Sequence, residues 1–145
     1  MNQAKRLYLS DTGALVLFGI VMGITTVIYE IWLVSMTTRQ WVLIRILYNI
    51  LRFVGARLCG KITDRTRCYI LKGSKSKFKK GLADGIALSF YQMPIYIFSA
   101  LVAGAGAKQI AIVVSLYVLD NLVSGWLYGL ILDWMRARVA SQKLV

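Results

Sequence analysis

The sequence predicts an all-α integral membrane protein, with four transmembrane helices arranged as two parallel two-helix repeats. Three observations carry this. Of the 145 residues, 58% are hydrophobic and mean hydropathy is +0.63, too apolar for a soluble domain of this length. A bilayer core about 30 Å thick needs about 20 mostly apolar helical residues, and four stretches qualify, roughly 12–36, 42–60, 82–103 and 109–133. Finally, the motif Gly129-x-x-x-Asp133-x-x-Arg136 near the C-terminus has an earlier copy in Gly60, Asp64 and Arg67. The expected organisation is one membrane domain over residues 1–145, with repeat 1 over about 10–67, a basic linker over about 62–80 and repeat 2 over about 82–138.

Ser10-Asp11-Thr12 is a good N-cap for the first span, which runs on to Glu30 and Trp32. It is too long for a signal peptide and has no small-x-small cleavage site, so it is expected to be retained. The second span, from near Trp41, includes Arg45, Asn49, Arg52 and Arg57. At 100° per residue the first three fall within about 40° of each other and form a polar stripe that must face protein or water. The basic linker is expected to lie on the membrane surface. The third span opens on LADGIAL, an echo of LSDTGAL at the first, which sets Asp84 beside Asp11. Pro94 should kink this span and free a backbone carbonyl on the face of Gln92 and Tyr96. The fourth span carries Asp120 and the glycine pair Gly125 and Gly129, whose spacing allows close helix contact within one chain or between chains. Trp32, Trp41, Trp126 and Trp134 lie near span ends and need only an anchoring role.

The net charge of +12 lies in the loops. Lys61, Arg65, Arg67, Lys72, Lys75, Lys77, Lys79 and Lys80 separate spans two and three, whereas Lys108 alone lies between spans three and four. Lys5 and Arg6 precede the first span, and Arg136, Arg138 and Lys143 follow the last. This bias places both termini and the central loop in the cytoplasm. It argues for topology and contact with anionic lipid, and against a nucleic-acid partner. With no histidine, imidazole chemistry is excluded, and Cys59 and Cys68 lack zinc-site spacing. No metal or cofactor is expected, and no enzyme constellation is assembled.

Charged groups inside spans cost about 2.5–3.5 kcal/mol each on insertion scales and need partners. Counting depth at about 1.5 Å per residue puts Glu30 level with Arg45, and Arg52 level with Asp120 near the midplane. These two candidate pairs, with Asn49, Gln92 and Tyr96, are the candidate substrate and coupling residues. They are read either as a zwitterion site with a titratable acid, or as pairs that only neutralise each other and fix register. Asp11 and Asp84 are expected to cap helices. Asp64 and Asp133, at helix C-termini, need cations, and Arg67 and Arg136 at i+3 are the nearest local choices. Together the four acids would ring a cytoplasmic mouth.

The series Asp11-Thr12, Ile28 to Ile31 with Glu30, Arg45, Gly60 to Asp64, Leu82-Ala83-Asp84, Gln92-x-Pro94-x-Tyr96, Gly104-Ala105 with Gln109-Ile110, and Gly125-x-x-Tyr128-Gly129-x-x-x-Asp133 resembles the L-alanine exporter family over about residues 10 to 138. The resemblance implies a small four-helix protein of the bacterial inner membrane. It implies export of L-alanine driven by the proton gradient, and work as a homo-oligomer. Cys59 stands where the family pattern has tyrosine, Arg52 where it has asparagine and Asp120 where it has an apolar residue, and the second span lacks a proline. The rivals are a small multidrug-type exporter, separable by cationic dye efflux, and an accessory membrane subunit, separable by co-purification of a larger partner.

Overall fold

A computed structural model describes residues 3–141. Lys143 and the side chain of Trp32 lie outside the described residues. The chain is all-helical: α1 (Gln3–Val27) runs into a π-helical segment (Ile28–Leu33), then come α2 (Thr38–Val54), α3 (Ala56–Leu71), α4 (Lys77–Val102) and α5 (Ala107–Ser141). Among the described residues three stretches could, by length and composition, cross a membrane: Lys5–Gly23, Lys77–Val102 and Ala107–Val139. The expected second span is divided at Gly55 between α2 and α3, and its arginines keep it below the apolarity of the others.

The bend at Gly55 has a physical account. Backbone carbonyls freed where a helix breaks must find hydrogen-bond donors elsewhere in the protein. Here the Tyr91 hydroxyl donates to the Arg52 carbonyl at 2.6 Å, and the Tyr8 hydroxyl to the Phe53 carbonyl at 3.1 Å. Both turns at the far end are fixed by glutamines in matching places. Thr37 and Gln40 form a reciprocal capping box at the start of α2. Gln109 accepts from the Gly106 N–H at 3.0 Å, and Gln40 donates to the Gly104 carbonyl at 3.0 Å, tying one turn to the other.

Two expectations about helix ends are corrected. α1 begins at Gln3, eight residues before Asp11, and α4 begins at Lys77 with Ser76 as its N-cap, so neither Asp11 nor Asp84 caps a helix. Good helix formers upstream carry each helix past the cap-like residues, and the two carboxylates meet cations instead. The basic linker is also shorter than expected. α3 continues to Leu71 because Cys59, Gly60 and Thr63 recur on one buried face, leaving about five residues, 72–76, as the connection.

Two apolar cores hold the helices. One, towards the basic end, gathers Leu15, Phe18, Leu88, Tyr91, Tyr128 and Leu132. The other, towards the turns, packs Ile44 and Val113 around Tyr48, Tyr96 and Tyr117, whose rings stand 5.0–6.2 Å apart. α4 and α5 approach each other backbone to backbone. A side chain at Gly125 would strike the backbone of Gly81 and Gly85, and one at Gly85 would meet Leu122 Cα at 2.9 Å. Gly125 thus serves helix contact within the protomer, with Gly81 and Gly85 as the partners that the GxxxG spacing alone did not reveal. Gly129 does something else: a Cβ there would overlap the Asp84 carboxylate and come 2.9 Å from the Arg67 guanidinium.

Candidate functional site

Two polar regions lie within the helical body. The first is a cavity of about 540 Å³ between α1, α2 and α5, with Gln92 of α4 in its wall. The α2 stripe of Arg45, Asn49 and Arg52 forms one side, and Asp120 and Asn121 of α5 another. The structure therefore brings together five of the seven sequence-predicted transport residues in one cavity. The other two, Glu30 and Tyr96, adjoin it.

Glu30 lies in the π-helical segment, fully buried, and pairs with Arg45 as depth counting predicts. Arg45 also donates to the Tyr117 hydroxyl at 3.2 Å. The extra residue per turn of a π-helix re-aims side chains, a common device at functional positions, and here it ends α1 with a carboxylate turned inward. Trp41 and Tyr96 face the Glu30 carboxylate, and Arg45 Nε is buried without a hydrogen bond. Tyr96 stacks in the aromatic core behind this pair, its hydroxyl 4.0 Å from Met36 sulfur.

Arg52 behaves differently. It is 5% exposed, and its guanidinium donates to the Leu15 carbonyl at 2.7 Å. Gly19 makes this reach possible, since a Cβ there would come 2.8 Å from Arg52 Nη1. The expected pair with Asp120 is not formed. Among the described residues Arg52 has no carboxylate partner and Asp120 no cation, although both line the cavity. Arg52 Nε, Gln92 Nε2 and Asn121 Nδ2 are also buried without a hydrogen bond. Buried donors left open cost about 1–3 kcal/mol each, and these three belong to residues that line one cavity. Asn49 is partly occupied, its amide donating to the Arg45 carbonyl at 2.8 Å. Pro94 takes no part: it lines a separate apolar groove with Phe90 and Phe98, away from Gln92.

The second region closes the basic end. Arg67 donates from Nε to Asp84 Oδ1 at 2.5 Å, from Nη2 to Asp84 Oδ2 at 2.9 Å and from Nη1 to Asp133 at 2.8 Å. Arg136 donates from Nε to Asp11 at 2.9 Å and from Nη1 to Asp64 at 2.6 Å. Arg57 supports Asp11 at 2.7 Å and Lys80 supports Asp133 at 2.5 Å. The local i+3 pairs expected from sequence are thus replaced by an exchange. The arginine of each half holds both acids of the other half. Gly60 and Gly129 clear equivalent space, a Cβ at Gly60 meeting Asp11 and Arg136 just as one at Gly129 meets Asp84 and Arg67.

A small all-helical body with bilayer-length apolar helices, a polar cavity between them and an ionic closure at one end is the build of a membrane transport protein. The comparisons make the class particular. A family model described as L-alanine exporter matches residues 1–142, and the chain belongs to this family, AlaE. It is 34% identical to the L-alanine exporter AlaE of Aliivibrio fischeri over 127 residues, 88% of this chain and 83% of that protein. It is 30% identical to the protein of that name from Salmonella typhimurium and 29% to that from Escherichia coli K12, with the same coverage. No solved structure matches the chain. The family is one of amino-acid exporters of the membrane.

Proposed function

We propose that this chain exports L-alanine, or a similarly small amino acid, from the cytoplasm, and that the cavity beside Arg52 is its binding site. One observation carries the reading: a buried arginine without a carboxylate and a carboxylate without a cation line the same cavity, with two open amide donors between helices. An α-amino acid brings the complement of each. Its carboxylate meets Arg52 and the Gln92 and Asn121 amides, and its ammonium meets Asp120. The names of the relatives supply alanine as the substrate.

Glu30 and Arg45 neutralise each other at the cavity wall, which makes Glu30 the acid best placed to couple a proton: protonation releases Arg45, and deprotonation restores the pair. The ionic closure is read as the cytoplasmic gate. Its exchange of arginines supports two repeats, about 10–67 and 82–138, related by an axis along the membrane normal, with α2 and α3 together as the fourth crossing. The basic end and both termini then face the cytoplasm, as in a bacterial inner membrane. Assembly into a homo-oligomer belongs to the same proposal and would use a surface other than Gly125 and Gly129, which are occupied within the protomer.

The test is efflux from proteoliposomes loaded in parallel with labelled alanine, glycine and serine. The reading expects alanine to leave faster than from empty liposomes, and faster still with an imposed proton gradient. Dye efflux without alanine efflux would favour a multidrug-type exporter and overturn it. Glu30→Gln should abolish the dependence on the gradient; an unchanged dependence would remove Glu30 as the coupling acid.

A further inference from the structure

An apolar crevice on the opposite side of α2 and α3 from the cavity is not used by the transport reading. Its long part, about 480 Å³, is walled by Leu51, Val54 and Leu58 on one side and Phe90, Pro94 and Phe98 on the other. It lies where α2 gives way to α3 at Gly55, with Pro94 of α4 in the facing wall. At Phe90 the crevice meets a second pocket of about 420 Å³, towards the basic end, whose lining changes to Arg65, Thr66 and Tyr69. Lys72 stands beside Tyr69, its ammonium 5.7 Å from the ring. Arg65 and Lys72 are exposed and make no ion pair among the described residues, in contrast to Arg57, Arg67 and Lys80 nearby.

We propose that this crevice holds one anionic phospholipid, its phosphate between Arg65 and Lys72 and one acyl chain running towards Pro94 and Phe98. The dimensions agree. Along the unbroken α4, Ile86 of the mouth and Phe98 of the far end are about 18 Å apart at 1.5 Å per residue, close to the reach of one leaflet, half of a hydrocarbon core of about 30 Å, plus its headgroup zone. The charge selects the headgroup. Arg65 lines the mouth, Lys72 stands beside its Tyr69, and the crevice below exposes almost no polar surface, so a lipid whose headgroup carries net negative charge fits both ends. A choline headgroup would bring a third cation beside Arg65 and Lys72. Free phosphate would leave the crevice unfilled. Tyr69, which is 77% exposed, is the amphipathic ring expected at headgroup depth.

The experiment is native mass spectrometry of the full chain released from micelles that contain equal amounts of phosphatidylglycerol and phosphatidylcholine with the same acyl chains. Phosphatidylglycerol should be retained at least fivefold more often, as a single adduct. Arg65→Ala with Lys72→Ala should lower that preference to near one. Lys75→Ala with Lys79→Ala removes the same charge from the same end outside the crevice and should leave the preference intact. Glycerol phosphate, which has the headgroup chemistry and no chains, should not displace the lipid. Equal retention of both lipids, equal loss in the two double variants, or displacement by glycerol phosphate would each overturn the proposal.

Discussion

Arg67→Ala removes three charged hydrogen bonds at once, but the structure says where the cost falls. Asp133 keeps Lys80 at 2.5 Å and is 38% exposed, so it stays compensated. Asp84 is 1% exposed and loses both of its bonds, which leaves a carboxylate buried without a cation. Breaking a buried pair in this way costs about 3–5 kcal/mol. The counterpart, Arg136→Ala, is milder. Asp11 retains Arg57 at 2.7 Å, and Asp64 is 48% exposed and returns to water, so the loss should be about 1–2 kcal/mol. The readout is unfolding in detergent followed by a thiol-reactive dye in a Cys68→Ser background, where the buried Cys59 reports opening. Adding Asp84→Asn to Arg67→Ala should recover about half of the loss or more, since the stranded charge is gone. A cost for Arg67→Ala below about 1 kcal/mol, the range of exposed pairs, would refute the reasoning. So would a larger loss for Arg136→Ala.

Other outcomes follow from the same geometry. Gly85→Leu and Gly125→Leu should unfold the protomer rather than dissociate an oligomer, because each new side chain meets backbone of the facing helix; circular dichroism with particle mass would tell the two apart. Gly19→Leu should displace the Arg52 guanidinium and weaken alanine binding while the ionic closure stays intact, which isothermal titration and the unfolding assay would separate. Maleimide should label Cys68 rapidly and Cys59 only on unfolding; equal rates in the folded protein would contradict the packing of α3 against α5, where Cys59 sulfur lies 3.4 Å from the Tyr128 hydroxyl.

Much of the helical layout is legible in the sequence, and the places where reading fails are instructive. Depth counting finds Glu30 and Arg45, because two helices joined by a short turn must run antiparallel with matched heights. The same counting brings Arg52 and Asp120 to one cavity but cannot tell contact from separation. Only the backbone supplies the Leu15 carbonyl that Arg52 takes instead. The cap-like Ser10-Asp11-Thr12 misleads because side-chain oxygens that suit an N-cap suit an interhelical ion pair equally well, and Asp11 meets Arg57 and Arg136. Local i+3 pairing misleads for Asp133 for a related reason. A partner on the same helix is near in sequence, but Arg67 and Lys80 reach it from other helices. The repeat of Gly60, Asp64 and Arg67 was the available signal for this exchange, since equivalent residues near a common axis approach each other's partners. Trp41, Tyr117 and Asn121 of the cavity give no signal in spacing; they emerge only when α2 and α5 are seen side by side.

The central claim is that the substrate carboxylate is held by Arg52. Counterflow of labelled L-alanine into liposomes preloaded with unlabelled alanine tests it directly, comparing the unaltered chain with Arg52→Gln after matching for folded protein. A lost charged hydrogen bond of about 1.5–3 kcal/mol corresponds to uptake about 10- to 150-fold slower at low alanine, with Arg52→Lys in between. Counterflow by Arg52→Gln at the rate of the unaltered chain would contradict the account.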